Sequence, residues 1–226
     1  MTTCKRQVTR KEIPNEFSED TKRAIKRIDQ HHNVLGLLYL RNDCLEMYTV
    51  PENMVRFLSK RLPPLHSAMR NAITEIDVLD ELVAIRIETK KIEIIATSDK
   101  DFLACDLKDE WLVTTTSSIN KVNPVVDRIM DDESVEGVIM TNKEGAPILT
   151  NITLTGASNY GLRLQQFGSI TQMYKKEMDP FDEVLIIRLH TKKLEIMFAT
   201  NPEFNIVVLQ HPRHKAKQQE KIKNVM

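Results

Sequence analysis

The stretch Asp182–Phe204, DEVLIIRLHTKKLEIMFATNPEF, has a near copy earlier in the chain, Asp80–Phe102, DELVAIRIETKKIEIIATSDKDF. The two align without a gap at an offset of 102 residues, and 10 of the 23 positions are identical. Those positions are Asp80/Asp182, Glu81/Glu183, Ile85/Ile187, Arg86/Arg188, Thr89/Thr191, Lys90/Lys192, Lys91/Lys193, Glu93/Glu195, Ile94/Ile196 and Phe102/Phe204. Most of the remaining pairs exchange one apolar residue for another. Internal similarity of this length marks a tandem repeat of one small domain.

The periods within the stretch predict what it builds. Ile85 and Ile87, and likewise Ile187 and Leu189, alternate with the polar Arg86, Glu88, Arg188 and His190. After Thr-Lys-Lys the alternation resumes, with Ile92, Ile94 and Ala96 in one copy and Leu194, Ile196 and Phe198 in the other. Period two with β-branched residues predicts strands with one buried face, and the short polar interruption predicts a hairpin turn. A third apolar run, 102–107 or 204–209, completes a three-stranded antiparallel meander in each copy. Such a meander is stable only if something covers its apolar face.

Composition narrows the class. The 226 residues carry 32 basic and 32 acidic side chains, so no global field favours nucleic acid or an anionic membrane. No run approaches the roughly 18 apolar residues of a membrane span, and the polar start, MTTCKRQVTRKE, is unlike a secretory signal. Cys4, Cys44 and Cys105 are odd in number and widely spaced, with no CxxC, which reads as buried or incidental thiols in a reducing compartment. The expectation is a soluble, cytoplasmic protein.

Each copy of the meander is preceded by the same plan. Ser18 caps an expected helix with Glu19 and Asp20 in its first turn. Val34–Leu40 is a largely buried strand, Arg41-Asn42-Asp43 turns it, and Cys44–Val50 returns. A helical pattern through Met54, Phe57 and Leu58 resumes at Leu65, Met69, Ile73 and Ile76 after Pro63-Pro64, a pair expected to break or kink it. In the second copy, Asn123 and Pro124 open a helix through Ile129 and Met130. Val135–Met140 and Ala146–Thr150 flank the turn Asn142-Lys143-Glu144-Gly145, and Leu164, Phe167, Ile170 and Tyr174 recur at helical spacing. The expected organisation is a disordered leader over 1–16, a domain over 17–109, a linker over 110–121, a second domain over 122–212 and a basic tail over 213–226. Each domain is α+β, with the order helix, two strands, helix, three strands and a five-stranded antiparallel sheet. An unpaired sheet edge is a liability, and two such domains can remove it by pairing edge to edge.

Repeat two, with VEGVIMTNKEGAPILTN (Val135–Asn151) and DEVLIIRLHTKKLEIMFATNPEFNIVVLQHP (Asp182–Pro212), strongly resembles the roadblock-type dynein light chains. The resemblance rests on the V-x-G strand, the N-x-x-G-x-P-I turn, the R-apolar-x-T-K-K-x-E-I hairpin and the V-L-Q-x-P ending, and covers nearly all of the repeat. Repeat one is similar through Val34-x-Gly36 and IRIETKKIEI, but has Cys44 and Glu46 where Gly145 and Pro147 stand. The resemblance implies a non-enzymatic protein without cofactors that pairs through the strand at Val184–His190 and the helix at Leu164–Tyr174. It implies an internal pseudo-dimer joined by Leu82, Ala84, Arg86 and Glu88 against Val184, Ile186, Arg188 and His190, with further oligomerisation open. It also implies a partner groove at Leu164, Phe167, Ile170 and Tyr174. The implied partner is a segment of the dynein intermediate chain, within the microtubule-associated, cytoskeletal dynein complex that attaches and transports cargo. Other dynein light chains are further partners of that family, and relatives bind a small GTPase or scaffold its regulators.

Sharper chemical readings lack support in the sequence. His31-His32 has no acidic or cysteine partner at ligand spacing, and His211 and His214 belong to the tail. Asp131-Asp132-Glu133 lacks calcium-loop spacing, and one glycine in a turn is no phosphate cradle. No Ser/His/Asp or Cys/His grouping has a recognisable context. Lys90-Lys91 and Lys192-Lys193 read most simply as solvated hairpin tips, with contact to an acidic partner segment as the alternative, and the tail lysines as a solubilising segment, with contact to acidic tubulin or RNA as the alternative.

Overall fold

The computed structural model describes residues 13–15, 17–31, 33–99, 102–109 and 129–212, and of 98–99 and 102–109 the backbone alone. Most of the leader, the linker, the tail, His32 and the start of the helix expected at Asn123 lie outside the described residues. In chain order the elements are α1 (Glu19–Asp29), β1 (Val34–Arg41), β2 (Cys44–Tyr48), α2 (Glu52–Ile76), β3 (Leu82–Thr89), β4 (Ile92–Asp99) and β5 (Phe102–Asp109). Repeat two supplies β6 (Val135–Thr141), β7 (Pro147–Thr150), α3 (Leu154–Met178), β8 (Val184–Thr191), β9 (Glu195–Thr200) and β10 (Asn205–Gln210). The fold is α+β.

Local chemistry accounts for the element ends. Ser18 accepts a hydrogen bond from the Thr21 N–H (3.1 Å), while Glu19 and Asp20 fill the first turn of α1 and Lys26 and Arg27 its last. The turn between β1 and β2 is Asn42-Asp43, both at positive φ, where short polar side chains are tolerated. The V-x-G signature marks a bulge. The β1–β5 register shifts between Val34 and Gly36, and the β6–β10 register shifts at the equivalent place. A Cβ at Gly36 would lie 2.6 Å from the Val50 nitrogen, so only glycine admits the returning chain. The next N–H in each repeat is held by an equivalent side chain: Leu37 N–H by Thr49 Oγ1 (2.9 Å) and Val138 N–H by Asn151 Oδ1 (2.7 Å).

α2 and α3 are each 25 residues long and begin 102 residues apart. Of the break or kink expected at Pro63 and Pro64, the break does not occur: α2 runs through them to Ile76. Each interior proline costs a helix about 3 kcal/mol. Against this, α2 buries Val55, Leu58, Leu62, Leu65, Met69 and Ile73, each contributing about 1.5–3 kcal/mol. Packing therefore outweighs the local penalty.

Among the described residues, all ten strands join one antiparallel sheet in the order β2-β1-β5-β4-β3-β8-β9-β10-β6-β7. The second half of that order repeats the first in reverse, which is the pattern of a two-fold relation between the repeats. α2 and α3 lie side by side on one face, over a single apolar core that takes in Leu38, Ile85, Ile87, Ile187, Leu189 and Phe198 from both repeats. α1 lies on the other face, where Phe17 and Ile25 cover Leu37 and Met47. Cys44 is disulfide-bonded, so the expectation of a buried or incidental thiol does not hold for it.

Candidate functional site

The seam between the repeats is the β3–β8 pair. Arg86 stands opposite Arg188, Ile87 opposite Ile187, Ile85 opposite Leu189, Ala84 opposite His190 and Glu88 opposite Ile186, while Leu82 and Val184 pair with Thr191 and Thr89 at the ends. An offset of 102 maps the first pair onto itself and the next two onto one another, so the pseudo-dyad passes between Arg86 and Arg188. Ile85, Ile87, Ile187 and Leu189 are at most 3% exposed and face the helices. The opposite face carries charge. Two arginines confronting each other would repel, but Glu88 Oε1 lies 3.1 Å from Arg86 Nε and 3.0 Å from Arg188 Nε. Glu93 pairs with Arg86, and Glu195 sits 3.8 Å from both Arg188 and His190.

The identical residues of the repeated stretch meet across this seam. Thr89 Oγ1 donates to Asp182 Oδ2 (2.8 Å), and Thr191 Oγ1 donates to Asp80 Oδ2 (2.5 Å). Lys90 pairs with Glu183 (2.7 Å) and Lys192 with Glu81 (2.5 Å), and the Lys90 and Lys192 N–H groups donate to the carbonyls of the same two glutamates. Lys91 reaches Asp179 and Lys193 reaches Asp77, both at 2.5 Å. The reading of these lysines as free hairpin tips is therefore corrected: each turn clamps the start of the other repeat's seam strand. The helices repeat the pattern, with Arg61–Glu177 (2.6 Å) matched by Arg163–Glu75 (2.5 Å). Contacts that come in exchanged pairs define an isologous interface, here within one chain. Exposed ion pairs add little energy. The apolar ladder holds the seam together, and the clamps fix its register, since a one-residue slip would turn Ile85 and Ile87 out of the core.

Neighbouring lysines lower the pKa of Asp77, Asp179 and Glu81 through hydrogen bonds from Lys193, Lys91 and Lys192. Asp182 differs from its counterpart Asp80. It is completely buried and pairs with the buried Lys175 at 2.7 Å, whereas the residue matching Lys175 in repeat one is the apolar Ile73.

The expected partner groove is corrected in part. Leu164 and Phe167 are 2% and 4% exposed and belong to the core, because the helical stripe they form points at the sheet. Ile170 and Tyr174 are half-buried against the same core, and the Arg61 guanidinium lies 4.7 Å from the Tyr174 ring centre. The open groove runs along the other flank of α3 and has a volume of about 730 Å³. Its floor includes Gly168, Val184 and Phe198, and its rim includes Gln172, Met173 and Lys176. A Cβ at Gly168 would lie 2.5 Å from the Phe198 ring, so the glycine makes room for the aromatic floor. Repeat one reverses this exchange, with His66 and Ala96 at the matching positions. Burial, reinforced by Arg70, lowers the His66 pKa. Sequence periodicity missed the groove; the Gly168/Phe198 exchange was the available signal.

Among the described residues, no group of three or more His, Cys, Asp or Glu is placed to hold a metal ion. No described helix is long and apolar enough to cross a membrane. The arrangement offers an apolar floor within a polar, partly cationic rim, which suits holding a peptide segment. The chain matches no protein-family model.

Proposed function

We propose that the chain is a non-catalytic accessory light chain of the cytoplasmic dynein motor. It holds a segment of the dynein intermediate chain and so serves cargo attachment and microtubule-based transport. The observation that carries this reading is the pairing of two copies of one α+β unit through reciprocal contacts about a pseudo-dyad. In the light chains that repeat two resembles, two separate chains make such a pair; here one polypeptide supplies both halves. The groove beside α3 suits an intermediate-chain segment with an apolar anchor, because Met173 is 51% exposed on its rim.

The test is a calorimetric titration with the light-chain-binding segment of a dynein intermediate chain, beside a panel of small GTPases. The expected result is saturable one-to-one binding to the segment, weakened about tenfold or more by M173E or S169E. Both positions are exposed, so these variants probe the surface, which changes at Phe167 would not. Binding to a GTPase alone would place the protein among scaffolds of GTPase regulation, and binding to neither would remove the partner function.

A further inference from the structure

Both repeats must build the same fold, so matching positions that differ in chemistry point to use by something else. The groove beside α3 gathers several of them. Its floor has Gly168 and Phe198 where repeat one has His66 and Ala96, and its rim has Met173 and Lys176 where repeat one has Asn71 and Thr74. Lys143 completes the rim from the β6–β7 turn, whereas the β1–β2 turn, Asn42-Asp43, carries no cation. The lining also holds Glu177, but Arg61 takes it at 2.6 Å, as Arg163 takes its copy Glu75. That carboxylate belongs to the seam, and the nearby Glu144 and Glu203 lie outside the lining.

The two lysines keep their charge. Lys143 Nζ donates to the Asn201 carbonyl (2.6 Å) and to Asn205 Oδ1 (3.2 Å). Both acceptors are neutral, so they fix the ammonium without cancelling its charge, and they leave one of its three donors over. Lys176 is exposed, and its side chain makes no ion pair among the described residues. The turn that carries Lys143 packs on α3 at Gly161 and Leu162, while Lys176 lies near the C-terminal end of that helix. The part of α3 that lines the groove runs from Gln165 to Glu177, so the cations stand at opposite ends of it, about 15–20 Å apart at 1.5 Å per residue. Phe198 and Met173 lie between them. The described end of the helix expected at Asn123 is on the other face of the sheet, where Ile129 packs on Val138 and Phe204.

We propose that the groove takes an acidic peptide segment, with a large apolar side chain seated on Phe198 beside Met173 and a carboxylate on each side of it. One carboxylate meets Lys143 and the other Lys176. In an extended segment, at about 3.3 Å per residue, the two acids are about five residues apart. The apolar anchor supplies most of the affinity, and the charges set register and speed encounter. Repeat one has none of these features at the matching places, so one chain takes one segment. The inference rests on the groove being the peptide site, and it holds whichever protein supplies the peptide.

Selection of random peptides of about 12 residues on the immobilised full chain tests it, a length that spans the groove with residues to spare. The wild-type chain is expected to enrich peptides in which Asp or Glu brackets a large apolar residue. A synthetic copy of a selected peptide should bind one to one in calorimetry. Its binding should weaken about tenfold in K176Q, in M173E, and on raising salt from about 50 to 300 mM. K176Q breaks no contact within the chain, so its effect reads charge and not folding. The reversed variant K143E/K176E should enrich Lys and Arg at the same places. Peptides that need Met173 but show no acidic enrichment, or that K176Q binds as tightly as wild type, overturn the acidic segment and leave the groove a peptide site. A selection with no peptide sensitive to M173E overturns both. Acidic peptides that bind while the intermediate-chain segment does not would support this inference and count against the dynein reading alone.

Discussion

The most informative residue contrast in the molecule is Asp80 against Asp182. Both sit at the start of a seam strand and both take a threonine hydroxyl from the other repeat, but only Asp182 has a buried cation, Lys175. Breaking a buried pair by removing one partner typically costs about 3–5 kcal/mol, because the other charge is left uncompensated. D182A is therefore expected to lose that much stability. K175I installs the side chain that repeat one uses at Ile73 and leaves Asp182 with the Thr89 hydroxyl and the Glu183 N–H. It is expected to cost less than D182A, because two hydrogen-bond donors to the carboxylate remain. Urea unfolding of the two variants decides the matter; equal losses would show that Lys175 finds water when its partner is removed. The identity of Asp80, Thr89 and their copies was plain in the sequence, but their partners were not. Each contact joins residues about a hundred positions apart, and an exposed lysine in a turn looks solvated until the other repeat is placed beside it.

At the level of elements, strand identity was legible because alternation of one apolar and one polar residue is a direct record of a half-buried sheet. The helices were legible in type but not in extent. Local rules treat Pro63-Pro64 as a break, and tertiary burial of the stripe on either side overrides them. The same limit hid the groove. Leu164, Phe167, Ile170 and Tyr174 were recognisable as one helical stripe, yet periodicity alone cannot say whether a stripe meets the sheet or a partner. Pro64 offers a test of the packing argument. It is exposed, and repeat two carries the exposed Gln166 at the matching position. P64Q restores a donor for the Lys60 carbonyl without touching the core, so it is expected to stabilise the protein by about 1–3 kcal/mol. Thermal unfolding measures this directly. No gain would mean that the helix bends at this turn and holds the carbonyl away from the restored N–H.

On the scale of the whole molecule, one apolar core spans both repeats and one sheet runs through them, so acid should act on the protein as a unit, in two stages. His66 comes first. Burial and Arg70 lower its folded-state pKa below the ordinary 6.5. The unfolded chain therefore binds more protons than the native one as pH falls below 6.5, and the stability present above that value is lost toward the lowered folded value. The clamping carboxylates follow. Asp77, Glu81 and Asp179 have folded-state pKa values below their ordinary ones because lysines from the other repeat hydrogen-bond to them. Their contribution is fully present above the ordinary carboxylate range near 4 and disappears as pH falls through that range toward the lowered values. Denaturant unfolding of the parent and of H66L, compared pH by pH, separates the stages. The difference between the two should begin to change as pH falls through the ordinary histidine value of about 6.5 and level off once His66 is protonated in both states, while both proteins weaken together below about pH 4. A difference that stays constant from pH 7 downward would show that His66 titrates alike in the folded and unfolded chains, so that all the acid sensitivity belongs to other groups, the clamps across the seam among them.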